Sequence, residues 1–256
     1  MIFYGTTDVG MIRAANQDNF IIKEYSDDVL MAVVCDGMGG AKGGGYASGL
    51  AAEAFMEYVD SFSGYLTEEY DSAEADEKLS DILRLGTDAA NRRVYAAAGE
   101  SDEYSGMGTT LVAALITPRN IYVVNVGDSR MYHIVGGGAK QITRDHSYVQ
   151  YLVDIGRISP KAARRSDKRN IITRAVGTEE IVEADLYTVP RAEGEAFVLL
   201  CTDGLHALTE PKELADSLKH KGRADGELLR RGADKLISLA NSRGGSDNIT
   251  AVILSY

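Results

Sequence analysis

Cysteine is scarce in this chain of 256 residues: only Cys35 and Cys201 are present. Two thiols so far apart exclude a disulfide scaffold and any CxxC metal or redox motif. Each lies in an apolar run, where a free thiol behaves as a small hydrophobe, so both are expected to be buried and reduced. Histidine is scarce too, and positions 133, 146, 206 and 220 match no zinc spacing. Basic residues are outnumbered: 27 Lys and Arg against 38 Asp and Glu leave a net charge of −11. That balance argues against nucleic acid, which needs cations to displace its counterions, and gives no support to a polybasic membrane anchor. The N-terminal stretch lacks a basic region followed by an apolar one, and no apolar run reaches the length of a membrane span. A cytoplasmic protein with neither nucleic-acid nor membrane partners is expected, and a monomer.

What is present is a series of short β-type runs: FIIKEY, VLMAVVC, TLVAALIT, IYVVNV, MYHIV, DLYTV, AFVLLC and ITAVIL. They are rich in Val, Ile, Leu and aromatics. Turn chemistry joins several, as in TPRN at Thr117 to Asn120 and GGG at Gly136 to Gly138. Short connections imply antiparallel pairing, because parallel strands need a long crossover. Helical patterns cover 47–58, 78–98, 147–155 and 225–240. Strand runs with helices set apart predict an α+β layered sandwich rather than alternating βαβ units. The acidic stretch 61–77 reads as a solvated connection between two helices. The basic segment 144–173, which contains KAARRSDKR, reads as an excursion from the sheets rather than a separate domain.

The carboxylates fall at strand ends. MAVVC runs into Asp36 and Gly37, VVNVG into Asp128, and FVLLCT into Asp203 and Gly204, while Asp247 and Asp18 stand just before strands. If these ends converge, anionic oxygens face one another and repel unless a cation lies between them. Hard divalent cations suit such an oxygen donor set, favouring Mg²⁺ or Mn²⁺ over Zn²⁺. An Asp-Gly pair at a strand end is also an ordinary turn, and spacing alone leaves both readings open. The glycine-rich loop CDGMGGAKGGG raises the alternative of a phosphate cradle. It matches neither G-x-x-x-x-G-K-[ST] nor the dinucleotide fingerprint, so any anion contact at the helix start would be a supporting one.

TDVGMIRAANQDNF, VVCDGMGG, GMGTTLVAALI, VVNVGDSRMYHI, ITRDHSYVQYLVDIGRIS, RNIITRAVG, LLCTDGL and GGSDNITAVIL occur in this order. Together they resemble the motifs of the bacterial metal-dependent Ser/Thr protein phosphatases, the PPM or type 2C family. The resemblance runs from Thr7 to the C-terminus. It implies a four-layer αββα sandwich of two antiparallel β-sheets flanked by helices, forming one domain over 1–256 with a flap subdomain at about 144–173. It implies two Mn²⁺ or Mg²⁺ ions and, in some members, a third, weaker one. By the same resemblance Asp36 bridges both metals and the Gly37 carbonyl joins one. Asp203 and Asp247 hold the other, Asp18 acts through metal-bound water, and Asp128 belongs with Asp203 to the third site. Arg13 matches the arginine that grips the substrate phosphate with its planar fork. The implied reaction is hydrolysis of phosphoserine or phosphothreonine in proteins by a metal-bridging hydroxide, opposing Ser/Thr kinases, with no covalent phospho-enzyme.

The sequence departs from the family at one place. Relatives usually read DGMGGH followed by a Gly-Glu pair, whereas Ala41 replaces the histidine and Gly45 stands where glutamate is usual. The proton donor to the leaving group is therefore unassigned, and Lys42 is a poor substitute because an exposed ammonium titrates far above neutral pH. The flap cations Lys161, Arg164, Arg165, Lys168 and Arg169 suit an acidic phosphopeptide or simply a solvated face. His146, Ser129 and Arg130 are expected to serve structure. Two other functions compete with the phosphoprotein phosphatase: a metal-binding module that docks phosphoproteins without turnover, and a phosphatase of small phosphate esters.

Overall fold

The computed structural model describes residues 1–68 and 73–256, with side chains at all of these except 41, 68 and 73. Among them the strands are β1 (Ile2–Asp8), β2 (Asp18–Ser26), β3 (Val29–Met38), β4 (Gly108–Thr109), β5 (Leu111–Ile116), β6 (Asn120–Val126), β7 (Arg130–Val135), β8 (Gly138–Gln141), β9 (Asp185–Pro190), β10 (Ala196–Cys201) and β11 (Ile249–Ser255). They form two sheets in the orders β1-β11-β10-β7-β8 and β2-β3-β5-β6-β9, with β4 pairing β3. The named pairs are all antiparallel. The helices are α1 (Gly40–Asp60), α2 (Ser63–Glu68), α3 (Ala73–Ala98), α4 (Tyr148–Asp154), α5 (Pro160–Ala163), α6 (Asp203–His206), α7 (Pro211–Ser217) and α8 (Gly226–Ser242).

Strand alternation builds the layers. Along β3, Leu30, Ala32 and Val34 point at the other sheet and pack with Val198, Leu200, Val252 and Leu254. The intervening Val29, Met31, Val33 and Cys35 point the opposite way, against Phe55, Val59, Leu79 and Leu83 of α1 and α3. The other sheet does the same: Leu199, Cys201, Ala251 and Ile253 meet Leu214, Leu229 and Leu236 of α7 and α8. Strands covered on both faces lose the polar alternation of a half-exposed sheet, which is why VLMAVVC and AFVLLC read as unbroken apolar runs. The expected αββα order of layers follows. Cys35 and Cys201 are buried and unpaired, and burial raises both thiols, Cys201 to about 12.

Several local expectations change. Strand β1 went unread because IFYGTTD carries a glycine and polar residues; it pairs along its whole length with β11, from Ile2 opposite Ser255 to Asp8 opposite Ile249. The GGG turn is a hairpin, with Gly136 and Gly137 at φ of 58° and 79°, but its second strand is the short GAKQ of β8. The stretch 61–77 is not one solvated loop: α2 and the first turn of α3 occupy its described parts, with Leu66 and Ala75 buried. Residues 69–72 of that stretch lie outside the described residues. Helix α1 starts at Gly40 rather than at 47, running straight through the consecutive Gly43, Gly44 and Gly45. Helix propensity disfavours that, and close packing explains it, as described below.

Candidate active site

Loop and strand ends from both sheets meet at one cavity of about 500 Å³, lined by Arg13, Asp36, Gly37, Asp128, Asp203 and Asp247 among others. Six of the seven residues singled out in the sequence therefore face one space. The seventh, Asp18, sits behind it. It opens β2 directly opposite Asp36 of β3, and only 5% of its surface is accessible. Asp36 lies inside β3 and Asp203 begins α6, whereas Asp128 and Asp247 occupy the connections before β7 and β11.

Small polar residues fix these positions. The Thr202 and Thr250 hydroxyls donate to Asp18 Oδ2 at 2.8 and 2.7 Å, joining the two sheets through one carboxylate. The Asp36 backbone N–H donates to Thr110 Oγ1 at 2.9 Å, and that hydroxyl shares a hydrogen with Ser129 at 2.7 Å. Asn248 accepts from the Gln17 N–H and donates to the carbonyls of Val9 and Ala15, tying the loop that carries Arg13 to the start of β11. None of Thr110, Thr202, Thr250, Gln17 and Asn248 was singled out in the sequence. They lie within the quoted motifs, but a hydroxyl or amide that positions a carboxylate leaves no pattern until its partner is known.

The glycines of the loop serve contact rather than openness. A Cβ on Gly37 would lie 1.9 Å from the Gly44 carbonyl, and one on Gly44 would lie 2.8 Å from the Gln17 side chain. Glycine lets the start of α1 press against the end of β3, which keeps Gly37 on the cavity wall. Gly39, at φ 123°, makes the bend between strand and helix. The Ala41 side chain, central to the departure from the family pattern, lies outside the described residues. Lys42 is directed to Glu103, with Nζ 2.8 Å from Oε1, and it does not line the cavity.

The carboxylates crowd negative charge into the cavity. Burial first, and then Asp18, Asp203, Asp128 and Asp247, push Asp36 well above the ordinary carboxylate range. Burial and its neighbours likewise raise Asp18 to about 7, Asp203 to about 6, and Asp128 well above its usual value. Asp18 Oδ1 and Asp203 Oδ1 are sealed from solvent with no hydrogen-bond partner among the described residues, a costly state for anionic oxygens unless something positive meets them. The donors are all oxygens, which fits a hard divalent ion. Among the described residues, no three His, Cys, Asp or Glu side chains close on a single point as a finished cage; the carboxylates ring the cavity instead. Arg13 lines the same cavity and brings positive charge to it, with Nη2 2.8 Å from Asp247 Oδ2.

The residues expected to serve structure stand behind the residues that line the cavity. Arg130 grips Asp145 through two hydrogen bonds of 2.8 and 2.7 Å. The Gly127 N–H donates to His146 Nδ1 at 3.0 Å, and Nε2 lies between Arg174 Nη1 at 3.0 Å and Asp185 Oδ2 at 3.2 Å. This anchors the connection bearing Asp128. His206, weighed in the sequence only for zinc spacing, donates from Nε2 to the Asp128 carbonyl at 2.9 Å. Burial and the nearby Arg130 hold it neutral, down to about 3. Segment 144–173 leaves the sheet after β8, carries α4 and α5, and is fastened at its base by Thr173 N–H to the His146 carbonyl at 2.8 Å. Among the described residues no helix is long and apolar enough to cross a membrane.

Comparison with known proteins agrees with this geometry. The family model described as Protein phosphatase 2C matches residues 13–225. The serine/threonine phosphatase stp of Listeria welshimeri is 36% identical over 97% of this chain and 93% of its own. The crystal structure of the serine/threonine phosphatase Stp1 from Staphylococcus aureus superposes with a TM-score of 0.84 at 33% identity, covering 99% of this chain and 94% of that one. The catalytic domain of the phosphatase PstP, solved with two manganese ions, superposes with a TM-score of 0.79 at 30% identity, over 99% of this chain and 96% of that one. With the motifs, the two-sheet architecture and the acidic cavity in agreement, this chain belongs to the protein phosphatase 2C family.

Proposed function

We propose that this chain is a metal-dependent protein phosphatase that hydrolyses phosphoserine and phosphothreonine in proteins, at the cavity ringed by Asp36, Asp128, Asp203 and Asp247. The observation that carries the assignment of the site is the pair of sealed, unpartnered oxygens of Asp18 and Asp203 beside that cavity. Asp36, Asp203, Asp247 and the Gly37 carbonyl would hold two Mn²⁺ or Mg²⁺ ions, with Asp18 behind them and Asp128 beside Asp203 for a third, weaker ion. Such ions supply a water of lowered pKa and positive charge against the phosphoryl oxygens.

The chain's own residues do the rest. Arg13 spends one donor on Asp247, which leaves the remainder of its fork for a phosphoryl oxygen and places that oxygen among the carboxylates. Thr202 and Thr250 hold Asp18 in one rotamer, and Thr110 fixes the backbone of Asp36. No thiol takes part, because Cys35 and Cys201 are enclosed in the helix-facing cores. Lys42, paired with Glu103 away from the cavity, is not the proton donor to the leaving group. We further read the chain as a single catalytic domain with 144–173 as its flap, as a monomer, and as a cytoplasmic enzyme acting against Ser/Thr kinases.

Phosphate release from phosphoserine and phosphothreonine peptides, measured with Mn²⁺, with Mg²⁺ and with a chelator, tests this reading. Activity should need a metal, and Asp36→Asn or Asp203→Asn should reduce it by about 10³-fold or more. A wild type inactive with both ions would refute the enzyme, and full activity in either variant would refute the site.

A further inference from the structure

The catalytic cavity does not end at the carboxylates. Met38 and Ile172 on its wall also line a second groove of about 510 Å³, whose other residues include Arg174, Glu179, Ile181 and Glu183. On this groove Ile181 is 83% exposed, the most exposed large hydrophobic side chain among the described residues. An isoleucine so displayed costs solvation and is unremarkable on a loose loop, but this loop is held tightly.

Asn91 of α3, itself buried, directs its whole amide at the loop. Its Oδ1 accepts from the Gly177 N–H at 2.7 Å, and its Nδ2 donates to the carbonyls of Glu179 and Glu180, each at 3.0 Å. Gly177, at φ 87°, packs so closely on Val94 that a Cβ would lie 2.1 Å from it. Val176 exchanges two backbone hydrogen bonds with Thr109, next to the cavity. Ile181 is thus fixed in the open at a set position from the site, while its neighbour Val182 is buried.

The charge around it is also specific. Arg174 is occupied by Asp185 at 2.8 Å, and Glu183 reaches it only at 3.7 Å. Glu179 and Glu180 make no ion pair among the described residues. The groove therefore offers an apolar contact flanked by Glu179, which has no ion pair among the described residues, and by Glu183, held only at 3.7 Å by an arginine already paired with Asp185; it opens directly off the cavity proposed to bind the phosphate.

We propose that this groove receives the substrate polypeptide beside the phosphorylated residue, and that Ile181 with Glu179 and Glu183 selects an apolar side chain next to a lysine or arginine. The inference rests on the phosphatase reading and adds to it a sequence preference. A preorganised contact of this kind acts through binding of the flanking chain, leaving the chemistry at the phosphorus unaltered.

The test uses the metal-loaded enzyme and three substrates: p-nitrophenyl phosphate, a phosphothreonine peptide with Leu and Arg on both flanks, and the same peptide with Ala and Glu instead. The wild type should favour the Leu/Arg peptide. Ile181→Asp, and separately the double change Glu179→Lys with Glu183→Lys, should lower kcat/KM for that peptide by about tenfold, mainly through KM. Both should leave p-nitrophenyl phosphate within about twofold. The charge-reversed variant should favour the Ala/Glu peptide. Equal loss on all three substrates, or unchanged peptide rates, would overturn the groove assignment while leaving the phosphatase intact. A wild type inactive on every substrate would instead remove the phosphatase reading.

Discussion

Replacing Asp18 by asparagine should make the metal-free protein more stable at neutral and alkaline pH, although it alters a buried residue of the site. In the folded chain this carboxyl is raised from 3.8 to about 7 by burial, against the two threonine hydroxyls that favour its charge. A group raised on folding binds its proton more tightly in the folded state, so stability falls as pH climbs from about 4 to about 7. The full penalty, about three pKa steps, is on the order of 4 kcal/mol above that window. Asparagine removes the charge, and its carbonyl can still accept from Thr202 and Thr250. Its amide would then take the position of Oδ1, which has no partner, at a cost of about 1–3 kcal/mol. The balance is a gain of about 1–3 kcal/mol near pH 8, or roughly 3–10 °C in Tm for a chain of this size. Near pH 4 the wild-type carboxyl is protonated and only the cost remains, so the variant should melt below the wild type. Thermal melts in chelator across this range read the crossover. Excess Mn²⁺ should then raise the wild type by about 3 kcal/mol at a hundredfold over Kd and the variant by less. A variant less stable by the same margin at every pH would refute the reasoning, since it would leave no charge for the cavity to relieve.

Arg13→Ala should raise KM for a phosphopeptide by about tenfold or more, and Arg13→Lys should recover only part of it, because an ammonium lacks the planar fork; steady-state kinetics distinguish the two. Gly37→Ala should abolish metal-induced stabilisation and activity together, since its Cβ would lie 1.9 Å from the Gly44 carbonyl, and a thermal shift with Mn²⁺ reads the loss. Asn91→Ala should cost about 2–4 kcal/mol by leaving the buried Gly177 N–H unpaired and two carbonyls without their donor, measured by denaturant unfolding. Hydrogen exchange at Gly177 should rise with it.

Most of the layering was legible in the sequence because burial on both faces writes itself as continuous apolar strands, and β3, β5, β6, β10 and β11 are of that kind. Edge elements were harder to read. Strand β1 draws its stability from its pairing with β11 rather than from its own residues, and α2 is marked by little more than Leu66. The early start of α1 was hidden because local propensity opposes helix at Gly43 and Gly44. The energy that overrides it is contact with Met107 and Gln17, residues remote in sequence.

For the site, the strand-end pattern marked the carboxylates as candidates with an ordinary turn as the other reading, and the motif order, through its resemblance to the family, supplied the roles proposed for them. It also named Arg13, through the motif around it. Tertiary structure decided everything that depends on direction and distance. It placed Asp18 behind the cavity instead of on its wall, turned Arg13 onto Asp247, and gave the positioning work to Thr110, Thr202, Thr250 and Asn248. It also left Ile181 standing in the open beside the acidic cavity. A one-dimensional pattern records which residues a fold must keep; a hydrogen bond or an ion pair between distant positions exists only once packing has brought its two ends together.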